Sequence, residues 1–170
     1  MREGLSRSAA CWALAALLAL LSGCGYRLQA ESGPLALPED VRSLAIVKVE
    51  NPSLTAWLGA EIRSRLRDQI TERGRIRWAE PDKAAGLLSV TVERFILSSE
   101  VKGGKDQTLK YQARLLLRAK IVDRNTQRVV WRSGLVNVSQ PYFEDEKAGA
   151  ESMVVELGVR ELVDRLTQNY

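Results

Sequence analysis

Polar and apolar positions alternate most cleanly between Gln107 and Val122. Leu109, Tyr111, Ala113, Leu115, Leu117, Ala119 and Ile121 share one parity, and Lys110, Gln112, Arg114, Leu116, Arg118 and Lys120 share the other. A period of two predicts a strand with one buried and one wet face. Three further runs read as strands: Val41 to Glu50, closed by the turn signal Asn51-Pro52; Leu87 to Ser98; and Arg128 to Ser139. Gly103-Gly104 marks a hairpin tip, and Asp123-Arg124-Asn125-Thr126 a second turn. In the last strand the alternation blurs. Val129, Trp131 and Leu135 point one way and Val130, Val136 and Val138 the other, so both of its faces read as partly apolar.

Two segments follow the helical period instead. Leu58, Ile62, Leu66 and Ile70 recur every fourth residue between Thr55 and Arg73, with Gly74 as the stop. A second helix is expected from about Glu146 to Thr167, with Val155, Val159, Leu162, Val163 and Leu166 as its core stripe. Ala150, Met153, Val154 and Leu157 form a second apolar patch on the first half of that helix. Ile76 to Trp78 reads as a short extended piece. The order β-α-β-β-β-α predicts an α+β two-layer sandwich, with two helices packed on one face of a mostly antiparallel four-stranded sheet.

Composition narrows the chemistry. The 170 residues include no histidine, which removes imidazole acid–base catalysis and His-based metal sites. Of the two cysteines, Cys11 lies in an apolar N-terminal run and Cys24 at its end, so the domain beyond has neither disulfide nor thiol nucleophile. A net charge of +4, or +3 once Arg2, Glu3 and Arg7 are removed with that run, is too mild for nucleic-acid binding. No catalytic or metal constellation stands out. Glu144, Asp145 and Glu146 are read as a helix-start cluster favoured by the helix dipole.

The N-terminus reads as an export signal over residues 1–23. Arg2 and Arg7 precede the apolar run Ala9 to Leu21, which is short for a membrane span. It ends in Leu21-Ser22-Gly23-Cys24, which looks like a bacterial lipobox, so Cys24 is the expected site of lipid attachment. No other cofactor is expected. Several acyl chains on one cysteine anchor a protein stably. Residues 24–38 read as an acylated tether and residues 39–170 as the domain.

The mature chain resembles the lipopolysaccharide-assembly lipoprotein family, LptE. The resemblance rests on Gly23-Cys24-Gly25-Tyr26, on Leu37-Pro38 leading into a strand closed by Asn51, and on the helix ending at Arg73-Gly74. It continues through the hairpin containing Tyr111-Gln112 and the terminal amphipathic helix. Ala84-Ala85 departs from the family, where an Ala-Asp pair is more familiar. The resemblance implies a non-enzymatic outer-membrane protein that plugs the LptD β-barrel translocon and helps insert lipopolysaccharide into the outer leaflet. Gly25 after the cysteine implies sorting to the outer membrane. The alternative is a lipoprotein regulator reaching across the periplasm to a peptidoglycan synthase. Against it stands a tether of about 14 residues, which extends at most ~50 Å.

Three groups of candidate site residues follow. Lys110, Arg114, Arg118 and Lys120 lie on one strand face, about 7 Å apart at every second position, where phosphorylated lipopolysaccharide offers matching anions. The bland reading of the same row is a solvated sheet face. Lys102 and Lys105 match, by position in the family's hairpin, a basic spot linked to lipopolysaccharide contact. Met153, Val154 and Leu157 are candidates for contact with the barrel. Trp57, Trp78 and Trp131 are most simply core residues.

Overall fold

The computed structural model describes residues 36–99 and 110–167. The signal, Cys24, most of the tether and the hairpin tip with Lys102 and Lys105 lie outside the described residues. Leu37, near the end of the stretch read as a tether, is buried.

Strand β1 (Ser43–Glu50) leads into helix α1 (Leu58–Glu72) and the two-residue strand β2 (Arg77–Trp78). Then come β3 (Gly86–Ser99), β4 (Lys110–Asp123), β5 (Val129–Arg132) and β6 (Val136–Phe143). A 3-10 turn over Glu144–Glu146 opens helix α2 (Lys147–Thr167). The sheet runs β2-β1-β3-β4, and β5 and β6 both border the far side of β4. β1 is parallel to β2 and β3, whereas β4 is antiparallel to β3, β5 and β6. The class is the expected α+β, with more strands than expected.

Two differences account for the strand count. The extended piece at Arg77–Trp78 joins the sheet edge as β2, and the expected fourth strand is two strands. Trp131 faces Ile121 and Val136 faces Leu117, and both side chains are buried. Five residues apart, they cannot share a face in one unbroken strand. The chain breaks at Gly134, whose φ of 67° suits glycine. Ser133 closes the break: its N–H donates to the Ala119 carbonyl at 3.0 Å, and its hydroxyl accepts from the Ala119 N–H at 2.9 Å. The blurred pattern was therefore two clean alternations out of phase. β6 also continues through Pro141-Tyr142-Phe143, where an outer strand tolerates proline.

Alternation in β4 appears in the fold as read. Ala113, Leu115, Leu117, Ala119 and Ile121 are buried, while Lys110, Arg114, Arg118 and Lys120 are exposed. The two helices cover the buried face. Helix α1 starts after a turn in which Asn51 accepts from the Ser53 N–H at 3.2 Å and donates to the Thr55 carbonyl at 2.8 Å. It buries Leu58, Ile62, Leu66 and Ile70, each contributing roughly 1.5–3 kcal/mol by transfer from water. Arg63 donates to the Ile46 carbonyl at 2.7 Å, beside the bulge in β1. Helix α2 is tied to α1 by Arg65, which reaches Ser152 at 2.8 Å, and by Arg73, which reaches Asp164 at 2.5 Å. Among the described residues no helix covers the opposite face of the sheet.

Candidate ligand-binding face

On the uncovered face β4 supplies Lys110, Arg114, Arg118 and Lys120 in a row. The strand pairs fix what stands beside each. Lys110 is opposite Phe143, and Arg114 is flanked by Ile96 of β3 and Ser139 of β6. Arg118 is opposite Thr91, and Lys120 lies between Ser89 of β3 and Arg132 of β5. The row is therefore bordered by hydroxyls, a few apolar groups and, beside Lys120, a further cation.

A bulge in β3 changes its charge. The register slips between Val92 and Arg94, leaving Glu93 as the extra residue. A bulge re-aims a side chain, and Glu93 meets Arg118 at 3.3 Å. Both groups are about half exposed, so the pair is worth little in stability, but it reduces the charge that Arg118 offers a ligand. Arg114 donates to Gln112 at 2.7 Å and has no carboxylate partner among the described residues. Further across the sheet, Lys48 is ion-paired with Glu50, which also accepts from the Thr91 hydroxyl at 3.1 Å. Those hydrogen bonds from Lys48 and Thr91 hold the Glu50 carboxyl below its ordinary range, with a smaller contribution from the charge of Lys120.

Sequence reasoning missed two participants. Glu93 was invisible because a bulge cannot be read from alternation. Arg132 was missed because the fourth strand was read as continuous; a Ser-Gly pair at 133–134 was the available signal. Lys102, Lys105 and Cys24 lie outside the described residues.

The apolar patch on α2 is divided. Val154 is fully buried and Leu157 partly so, while Met153 is 44% exposed. Val154 therefore belongs to the core and is not a contact residue. The helix packs against β4, β6 and α1 together, so its buried arc is wider than a single stripe and takes in Ala150 and Val154 as well as Val155 and Val159. Met153 lines a shallow groove with Pro141, Tyr142 and Gly149.

Of the tryptophans, Trp131 is buried. Trp78 is partly buried under Arg67, whose guanidinium carbon lies 5.5 Å from the ring centre. Trp57 is not a core residue: it is 42% exposed and stands edge-on to Phe95, because it sits just before α1 rather than on its buried stripe. At the hairpin end of the sheet Tyr111 and Tyr142 stack at 5.4 Å, and burial raises the Tyr142 hydroxyl pKa above its usual range. Glu146 accepts the Phe143 N–H at 3.1 Å, so this carboxylate caps the turn into α2. Among the described residues no cluster of acidic or sulfur ligands is placed to hold a metal, and no helix is long and apolar enough to cross a membrane.

The model of the LptE lipopolysaccharide-assembly family matches residues 41–169. No curated protein matches in sequence. Among solved structures, the chain resembles a minor lipoprotein from Acinetobacter baumannii with a TM-score of 0.52, at 14% identity over 76% of this chain and 93% of that one. It also resembles the PelC dodecamer protein of Paraburkholderia phytofirmans with a TM-score of 0.53, at 16% identity over 79% of this chain and 93% of that one. At such identities these likenesses establish the fold alone. The family match spans both helices and every strand described above, and on that ground the chain belongs to the LptE lipopolysaccharide-assembly family.

Proposed function

We propose that this protein is a lipoprotein acylated at Cys24, held at the outer membrane, that plugs and assembles with an LptD-type β-barrel translocon. In that role it helps insert lipopolysaccharide into the outer leaflet and carries out no chemistry on it. The observation that carries this reading is the family match across the folded domain, together with a sheet face left open and lined by Lys110, Arg114 and Lys120. Cationic side chains on a rigid strand suit the phosphates of lipopolysaccharide, and Arg114 can grip one with two hydrogen bonds. Lys102 and Lys105 extend the same role to the hairpin tip. The family assignment weighs against the peptidoglycan-synthase regulator.

The test is lipopolysaccharide binding by the acylated full-length chain and its Arg114→Glu/Arg118→Glu variant. Each basic residue near an anionic lipid surface contributes on the order of 1 kcal/mol, so binding should fall at least about tenfold with the fold intact. Unchanged binding by a well-folded double variant removes the basic row from the proposal.

A further inference from the structure

At the end of the basic row remote from the hairpin, a groove of about 210 Å³ is lined by Ser89, Thr91, Glu93, Arg118, Lys120 and Arg132, among others. Its charged lining comes from three strands, β3, β4 and β5, with Lys48 and Glu50 of β1 nearby. Lys48 is matched by Glu50 and Arg118 by Glu93. Lys120 and Arg132 are left, and neither has an ion-pair partner among the described residues, although Glu50 feels the charge of Lys120 at longer range. These two cations are directly opposed across β4 and β5. Opposed residues place their Cβ atoms roughly 5 Å apart, and like charges there are destabilising. The Ser89 hydroxyl borders the pair from β3. That opposition costs the unliganded fold stability, and a bound anion would relieve it.

We propose that Lys120 and Arg132 form an anion-binding pair for a phosphate group, with Ser89 as a hydroxyl partner. Arg132 supplies the planar fork and Lys120 the point charge. The site does not depend on whether the chain binds lipopolysaccharide, because the same chemistry would take a free phosphate or a phosphorylated sugar.

The experiment is a titration of the full-length acylated chain in neutral detergent micelles, followed by amide NMR shifts, with inorganic phosphate in one arm and glucosamine 1-phosphate in the other. Sodium chloride at matched ionic strength is the control. Saturable shifts confined to the groove, around Ser89, Lys120 and Arg132, are expected. Apparent affinity should fall at least about fivefold in Lys120→Gln/Arg132→Gln and stay unchanged in Arg160→Gln, on the helix that covers the other face. The double variant should also melt no lower than the parent, because it removes a like-charge pair. Tighter binding of the sugar phosphate would assign the natural ligand to phosphorylated saccharides, and equal binding would assign it to phosphate itself. Shifts reproduced by chloride, shifts spread evenly along β4, or an unaffected double variant would each overturn the proposal.

Discussion

Glu93 stands 3.3 Å from Arg118 because a bulge in β3 inserts one residue opposite the basic row of β4. A row that reads as four cations is therefore interrupted by a carboxylate. If the face attracts anionic lipid, removing that carboxylate should strengthen the attraction. Glu93→Gln is expected to raise affinity for lipopolysaccharide several-fold and steepen its salt dependence, as measured by binding at low and moderate ionic strength. Stability should change by less than about 1 kcal/mol, since the pair is exposed.

Gly86 marks a close approach rather than a turn. A Cβ there would lie 2.6 Å from Leu44, 2.7 Å from Val41 and 3.0 Å from Ile121, all three fully buried. None can move away without displacing the core around the parallel β1–β3 pair. Gly86→Ala should destabilise the fold by about 1–3 kcal/mol through overpacking, read as a lower denaturation midpoint with an unchanged slope.

The β4–β5 turn predicts a pH dependence. The Thr126 backbone N–H donates to Asp123 at 2.6 Å and the Thr126 hydroxyl at 2.9 Å, and these bonds hold the Asp123 carboxyl below its ordinary pKa. A depressed folded-state pKa contributes stability above the unfolded value, near 3.8, and that contribution is lost as pH falls through the lowered one. Asp123→Asn retains an acceptor but cannot titrate. The variant should be less stable than the parent at pH 7, and the gap should close as the pH is taken below 3.8. A gap that stays constant across that range would contradict the assignment.

Helix α2 separates core from surface at adjacent positions. Val154→Ala should cost about 2 kcal/mol, from two buried methyl groups at ~0.8 kcal/mol each plus incomplete collapse. Met153→Ser should leave the melting temperature unchanged, and if the α2 groove contacts the barrel it should lower the yield of co-purified barrel.

The parity of β4 was legible because a strand buried on one face must alternate, and that parity placed Lys110, Arg114, Arg118 and Lys120 on the open face. The stripe Leu58, Ile62, Leu66 and Ile70 was legible for the same reason at the helical period. Arg132 was hidden by the break at Gly134, because reading alternation across a phase slip mixes two faces into one. Glu93 was hidden by a bulge, which depends on the partner strand. Val154 was misplaced because a helical wheel does not reveal that a sheet and a second helix both pack on α2. The parallel pairing of β1 with β3 likewise follows from tertiary packing of α1 across the sheet.

Co-purification tells whether this chain works, as proposed, as the plug of an outer-membrane barrel. The full-length acylated protein would be isolated from outer membranes under mild detergent, and its partners identified by mass with their stoichiometry. A large LptD-type β-barrel recovered in a one-to-one complex is the predicted result. Recovery of a peptidoglycan synthase in its place, or of the lipoprotein alone from membranes that contain the barrel, would contradict it.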